Sequence, residues 1–260
     1  MTRWRESGQG PALVLLHGIS SGSASWHKQL DDPGLQRCCR MLAWDAPGYG
    51  ASPPLAAERP AAEAYATALA QMLDAAGVER AILIGHSLGA LIASAFAVCY
   101  PRRVCRLVLA DPAQGYGNAS PPQQREVYLR RQQQLAGGLE KMATERAALL
   151  LRPQADERDI ATVAAGMRRL NPAGFMQAVA LLVQGDIHHW LAQNRRPTEV
   201  WCGERDAITP PASARALARR WQLPYVALAG AGHAGYLDAS VAFNRHLQRV
   251  ITGEGDESTD

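Results

Sequence analysis

The sequence predicts an α/β protein with a doubly wound, mostly parallel sheet, and three observations carry that prediction. Short apolar runs end in turn residues along the chain, as strands buried on both faces do. Helical patterns lie between those runs, which is the alternation typical of a parallel sheet. One long stretch carries helical patterns alone, and it predicts a single helical insertion.

The predicted strands follow the apolar runs in order. The first run ends at His17-Gly18 and the third at Gly85, where turn residues stop a strand. Together the predicted strands cover residues 13–16, 41–44, 81–84, 104–109, 199–202 and 225–229. Of the helices between them, residues 61–76 place Tyr65 and Leu69 on one face, and Gly77 follows where a C-terminal cap is expected. The others cover residues 88–100, 213–221 and 241–251.

The helical insertion divides the chain. We expect residues 1–114 and 198–252 to form one core, because a chain of 260 residues is within the range of a single domain with an elaboration. Residues 115–197 are predicted to form a helical cap. Residues 253–260 are acidic and polar, which predicts a disordered tail.

Composition excludes several classes of function. The net charge is +3, and the basic residues occur mostly as isolated arginine pairs, so a nucleic-acid partner is not expected. The five cysteines lack metal-ligand spacing and indicate a reducing compartment. No signal peptide and no apolar run long enough for a membrane span are present, so the predicted location is cytoplasmic, with no membrane partner. No glycine pattern indicates a nucleotide cofactor, and no metal is expected.

The strongest chemical motif is Gly-His-Ser-Leu-Gly at residues 85–89, which follows a predicted strand and opens a predicted helix. In that setting Ser87 is predicted to be a nucleophile, because a tight strand-to-helix turn exposes its hydroxyl above the sheet. Gly85 and Gly89 are needed because the turn leaves no room for side chains. His86 is not expected to be the base, since its side chain should diverge from the serine hydroxyl.

Three motifs in order resemble the α/β-hydrolase superfamily: His17-Gly18-Ile19-Ser20 after one strand, residues 44–52 (WDAPGYGAS) after the next, and the Ser87 motif. The resemblance covers nearly the whole chain. The most similar branch is that of small bacterial carboxylesterases, enol-lactonases and the carbon–carbon hydrolases of aromatic meta-cleavage products. It implies a helical cap inserted after the sixth strand, where residues 115–197 lie.

The resemblance also implies the order nucleophile, acid, base along the chain. Asp206 and His233 each end a glycine-containing segment after a late strand, so His233 is the expected general base and Asp206 the expected acid. Asp111 is the alternative acid, because some relatives place theirs after the strand at 104–109. The N–H groups of Ile19 and Leu88 are expected to form the oxyanion hole.

The apolar residues of the cap suggest the substrate. An apolar pocket suited to a neutral acyl group is expected from aromatic, methionine and valine side chains. These candidates are Trp26, Phe175, Met176, Val179 and Trp190.

The predicted function is hydrolysis of a small ester or lactone without a cofactor, through an acyl-enzyme on Ser87. Two alternatives remain: carbon–carbon bond hydrolysis of a meta-cleavage product, and a slow-turnover ligand receptor on the same fold. His86 and Ala234 depart from the carbon–carbon hydrolase pattern.

Overall fold

The computed structural model describes residues 2–253, which form a seven-stranded sheet flanked by helices. The strands are β1 Arg3–Gly8, β2 Ala12–Leu16, β3 Arg40–Asp45, β4 Ala81–His86, β5 Val104–Ala110, β6 Thr198–Gly203 and β7 Tyr225–Leu228. Their order is β1-β3-β2-β4-β5-β6-β7, and every neighbouring pair is parallel except β1 with β3. The predicted fold class is therefore confirmed.

β1 is the strand that the sequence patterns did not predict. Its residues are RWRESG, and most of them are exposed or half-buried at the edge of the sheet. The central strands β2 and β4 are almost fully buried on both faces, and continuous apolar runs mark them. An edge strand facing solvent carries no such run, so only its pairing with β3 reveals it.

Helices cover both faces of the sheet. In the part of the chain that the sequence predicts to be the core they are α1 His27–Leu30, α2 Pro33–Cys38, α3 Ala62–Ala75, α4 Leu88–Cys99, α10 Pro211–Trp221, α11 Gly235–Asp238 and α12 Ser240–Thr252. α4 is buried along nearly its whole length, where it packs against α3, β4 and β5. α3 ends before Gly77, which has φ +65° and so takes the left-handed conformation expected of a glycine after a helix end.

Between β5 and β6 the described chain contains helices and no strand. These helices are α5 Pro121–Ala136, α6 Leu139–Arg146, α7 Glu157–Arg168, α8 Pro172–Gln184 and α9 Ile187–Leu191. Counted along this chain, the insertion follows β5 and precedes β6. The division into a core and a cap at residues 115 and 197 stays a prediction.

The topology brings the chemistry-bearing residues to one edge of the sheet. His17, Ser87, Asp111, Asp206 and His233 follow β2, β4, β5, β6 and β7 respectively. These strands are parallel, so their carboxyl ends meet at the same edge. A polar site is therefore expected there.

Two further predictions concern the ends and surface of the chain. The predicted acidic tail, apart from Gly253, lies outside the described residues. Among residues 2–253, no helix has both the length and the apolar character that crossing a membrane requires.

Candidate active site

Ser87 occupies a strained turn between β4 and α4. Its backbone has φ 53° and ψ −116°, a conformation that non-glycine residues rarely adopt, and its N–H donates to the Ala110 carbonyl at 2.9 Å. A Cβ on Gly85 would lie 2.5 Å from the Gly89 carbonyl oxygen, and one on Gly89 would lie 2.3 Å from the Leu16 carbonyl oxygen. A side chain at either position would collide with backbone atoms, so both residues must be glycine, as expected for a nucleophile turn.

His233 is held by Asp206. The His233 Nδ1 lies 2.8 Å from Asp206 Oδ2, and both side chains are buried. The other Asp206 oxygen accepts from the Ile208 and Thr209 N–H groups at 2.7 and 3.0 Å. Burial by itself would raise the pKa of Asp206, but the hydrogen bonds from His233 and Thr209 outweigh it and lower the pKa to about 2. The ionised carboxylate thus fixes Nδ1 as the protonated nitrogen and leaves Nε2 for chemistry.

Asp111, the alternative acid, is bonded elsewhere. Its Oδ1 accepts from the Gly203 N–H at 2.8 Å, and its buried Oδ2 has no hydrogen-bond partner. Burial, and then the charge of Asp206, raise the pKa of Asp111 well above its ordinary value. That setting favours the neutral form of the carboxyl group, which stabilises an imidazolium poorly. The geometry therefore favours Asp206 as the partner of His233.

His86 lies closer to the site than the sequence argument expects. Its ring lines the same cavity as Ser87. Its Nε2 lies 2.8 Å from the His233 carbonyl oxygen, and this hydrogen bond holds the ring beside His233. The ring centroids of His86 and His233 are 4.8 Å apart. Burial, and then the neighbouring His233, lower the pKa of His86 to about 3. A neutral ring with so low a pKa is a poor base at pH 7, so His233 stays the candidate base for a different reason than side-chain direction.

The loop after β2 is fixed beside Ser87. His17 accepts the Ala46 N–H at Nε2 (3.1 Å) and bonds the Gly18 carbonyl through Nδ1 (2.8 Å). The Tyr49 hydroxyl donates to the Ile19 carbonyl at 2.7 Å. Ile19 and Leu88 both line the cavity, and Leu88 is the first residue of α4, where N–H groups have no acceptor within the helix. The assignment of the Ile19 and Leu88 N–H groups to an oxyanion hole stays a prediction.

A cavity of about 450 Å³ joins these groups. Ser87 and His233 both line it, although no hydrogen bond joins their side chains among residues 2–253. Such a bond is often long before substrate binds. The residues that follow the strand ends and line the cavity include Ile19, His86, Ser87, Leu88, Thr209 and His233.

None of the five predicted pocket residues lines this cavity, so that prediction is corrected. Trp26, Phe175 and Val179 are fully buried in the hydrophobic core, Trp190 is almost so, and Met176 packs partly buried against it. Their helical spacing identifies a buried face but not whether that face meets the core or a cavity. The insertion contributes other residues instead: Tyr116, Arg131, Arg146, Leu150, Val163 and Leu182.

The insertion is also tied to the His233 loop. The Ala234 N–H donates to the Leu150 carbonyl at 2.8 Å, and Asp238 Oδ2 accepts the N–H groups of Arg152 (2.6 Å) and Gly232 (3.1 Å). The residues that line the cavity thus come from the strand ends on one side and from the insertion on the other, and these two parts of the chain are joined by hydrogen bonds beside the candidate base.

Comparison with known proteins places this arrangement in a family. The sequence profile for the alpha/beta hydrolase fold matches residues 11–240. The chain belongs to the α/β-hydrolase fold family. As an α/β hydrolase it is 30% identical over 248 residues to the pimeloyl-[acyl-carrier protein] methyl ester esterase of Chromobacterium violaceum, covering 92% of this chain and 94% of that protein.

Two further comparisons differ in extent. An esterase structure from Thermogutta terrifontis shares the fold of this α/β hydrolase, with a TM-score of 0.87 at 24% identity over 97% of this chain and 93% of that one. The 2-hydroxy-6-oxononadienedioate/2-hydroxy-6-oxononatrienedioate hydrolase 2 of Pseudomonas putida is 37% identical over 121 residues, which are 45% of this chain and 42% of that protein. The matches to the first curated relatives span about two-fifths of their length.

Thr209 is a residue of the α/β-hydrolase site that the sequence analysis missed. Its hydroxyl lies 2.7 Å from Asp206 Oδ2 and 3.1 Å from His233 Nδ1. The available signal was a hydroxyl residue three positions after an aspartate, a spacing that allows local turn hydrogen bonds. The Thr209 hydroxyl therefore helps to hold the Asp206 carboxylate in position beside the His233 ring.

A cluster of three potential metal ligands adjoins the site. The ligand atoms of Asp111, Cys202 and Asp206 lie within 4.8 Å of one another. Both Asp206 oxygens already accept hydrogen bonds, and burial raises the pKa of the Cys202 thiol far above its ordinary value. A protonated thiol is a poor metal ligand, so these contacts favour a structural role for the cluster.

Proposed function

We propose that this α/β hydrolase cleaves a small carboxylic ester or lactone through an acyl-enzyme on Ser87. One observation carries the proposal: a serine in a strained turn shares a cavity with a histidine whose Nδ1 lies 2.8 Å from a buried, ionised aspartate. Those are the parts that acyl transfer requires, namely a nucleophile, a base and a group that orients the base.

The proposed reaction has two halves. The Ser87 oxygen attacks the substrate carbonyl carbon as His233 Nε2 accepts the serine proton, and the N–H groups of Ile19 and Leu88 stabilise the oxyanion. The carbon–oxygen bond to the alcohol breaks, and His233 gives its proton to that alcohol. Water then adds to the acyl carbon, with His233 taking its proton, and the acid leaves as the proton returns to Ser87. Asp206 remains ionised throughout.

Similarity supports an ester substrate. The Chromobacterium violaceum relative, which aligns over nearly the whole of both chains, is named as a methyl ester esterase. A lactone is an internal ester, and its ring would open by the same steps. A small-molecule substrate, a cytoplasmic location and the absence of nucleic-acid or membrane partners stay predictions that accompany this proposal, and oligomeric state is not part of it.

Carbon–carbon bond hydrolysis is the second candidate, because the Pseudomonas putida relative shares 37% identity over 121 residues. Two residues count against it: the position after the base is Ala234, whose N–H is engaged with the Leu150 carbonyl, and His86 is neutral and bonded to the His233 loop. A dienoate diketone and an aryl ester compared by kcat/KM distinguish the candidates.

The proposal is tested by turnover of p-nitrophenyl acetate. Ser87→Ala should lower kcat by about 10³-fold or more, since it removes the atom that forms the bond. Ser94→Ala is the matched control, because Ser94 lies on the same helix, donates to the Ala90 carbonyl and does not line the cavity. Retained turnover in Ser87→Ala would contradict the proposal. Wild-type turnover far below about 1 s⁻¹ would instead favour a receptor.

A further inference from the structure

Two arginines of the insertion, Arg131 and Arg146, line the same cavity as Ser87 and have no acidic partner among residues 2–253. Arg131 lies on α5 and Arg146 ends α6, and both side chains are half-buried. The Nε atoms of both are buried with no hydrogen-bond partner. Among the described residues, the two guanidinium groups together make one hydrogen bond, which Arg131 donates to the Gln134 amide oxygen at 3.2 Å. Within residues 2–253, no Asp or Glu lines the cavity.

The contrast with Arg168 is informative. Arg168, on α7, bonds both oxygens of Glu140 at 2.7 Å on the protein surface. A buried guanidinium depends on a hydrogen-bonding or charged partner more than an exposed one does, because burial removes the water that would stabilise its charge. Here the exposed arginine is fully paired and the two cavity arginines are not. The cavity wall therefore holds two guanidinium groups whose hydrogen-bonding capacity the described chain does not meet.

Electrostatics add to this. Burial, and then the nearby charges of Arg146 and Arg130, together lower the pKa of Arg131 to about 10. Burial lowers the pKa of Arg146 as well. Arg131 therefore still carries its positive charge at pH 7, in a place where that charge is unfavourable on its own. An anion bound between the two side chains would remove this cost.

We propose that Arg131 and Arg146 form a carboxylate-binding subsite, so that the preferred substrate is an ester whose acyl part ends in a carboxylate. This rests on the proposed function of Ser87. The planar fork of a guanidinium matches a carboxylate, and Leu150, Val163 and Leu182 provide apolar walls for a short methylene chain between the two ends. The expected neutral, apolar chamber is replaced by a chamber with one cationic wall.

The test compares two esters of the same shape. Monomethyl glutarate carries a terminal carboxylate, and methyl glutaramate replaces it with an uncharged amide. We expect wild type to favour the glutarate ester in kcat/KM by about 10-fold or more, the size expected of a hydrogen bond to a charged group. Arg131→Gln and Arg146→Gln should each lower kcat/KM for that ester by about 10- to 100-fold, mainly through KM, and change the amide ester by less than about 3-fold.

Control variants isolate the charge at the cavity. Arg125→Gln removes an exposed arginine from the same helix and should leave both kcat/KM values at the wild-type level. Arg131→Lys should restore part of the preference, because it keeps the charge but loses the fork. Free glutarate should inhibit competitively and more strongly than inorganic phosphate. Equal inhibition by phosphate would overturn the carboxylate assignment.

The outcomes separate the subsite from the function. Hydrolysis of both esters at equal kcat/KM, unchanged in Arg131→Gln and Arg146→Gln, would overturn the subsite and leave the proposed function intact. If neither these esters nor p-nitrophenyl acetate were hydrolysed, the proposed function would fail. Calorimetric titration of wild type with glutarate then decides the subsite alone: binding that is lost in Arg146→Gln supports it, and no binding overturns it.

Discussion

The two walls of the cavity satisfy their polar groups in opposite ways. On the strand-end wall the Asp206 carboxylate accepts hydrogen bonds at both oxygens and orients His233. On the wall that the inserted helices form, here called the helical wall, the buried Nε–H groups of Arg131 and Arg146 have no hydrogen-bond acceptor in the described chain. The carboxylate that must keep one geometry is held by the fold at both oxygens, whereas the Nε–H groups of the two arginines have no partner among residues 2–253. Under the two proposals, the strand-end wall carries out the chemistry and the helical wall selects the substrate.

The largest effect should come from breaking the strand-end wall at its acid. Asp206→Asn is expected to lower kcat by about 10³- to 10⁴-fold, because an amide cannot hold the protonated Nδ1 or stabilise the imidazolium. Asp111→Asn should cost far less, since burial and the charge of Asp206 favour the neutral carboxyl, which is close to an amide in shape and charge. Steady-state kinetics on a neutral aryl ester measure both. The reverse ranking would move the acid to Asp111 and leave Ser87 and His233 unaffected.

A smaller effect is expected on the thermal stability of the fold at acid pH, through protonation of His86. The pKa of His86 in the fold is about 3, below the ordinary histidine value of 6.5, so between these two values the unfolded chain binds a proton that the folded chain does not. The stability from this residue is therefore complete above about pH 6.5 and is lost as the pH falls towards 3. His86→Gln keeps a donor for the His233 carbonyl but has no such titration. Its Tm should fall less than that of wild type between pH 7 and pH 5.

The control for this measurement is His27→Gln, a half-exposed histidine on α1. Its Tm should follow the wild-type pH dependence. Equal losses of Tm in wild type and His86→Gln would show that protonation of His86 does not limit acid stability.

The sequence predicted the strand-end wall because its determinants are local. Gly85 and Gly89 are required by backbone contacts a few residues away in the turn or on the adjacent strand, so the pattern around Ser87 is visible in five letters. Asp206 and His233 follow strands whose apolar runs are continuous. Thr209 escaped because a hydroxyl residue in a loop has many possible roles.

The helical wall was not predictable in the same way. The α5 sequence carries charge on all sides, so periodicity does not distinguish Arg131 from its exposed neighbour Arg130. Phe175 and Val179 were expected to line the pocket because they are apolar and regularly spaced, and that same spacing buries them in the core. Which face of an inserted helix meets a cavity depends on how the helices pack together, and a single sequence does not encode that locally.

The central claim is that Ser87 is the nucleophile, and a fluorophosphonate probe tests it most directly. Ser20, Ser21 and Ser213 also line the cavity, so labelling could in principle occur at four serines. Peptide mapping by mass spectrometry after complete inactivation should find one adduct, on Ser87, and Ser87→Ala should take up no probe while Ser94→Ala labels as wild type does. An adduct on Ser20, Ser21 or Ser213 in the inactivated enzyme, with Ser87 unmodified, would contradict the account.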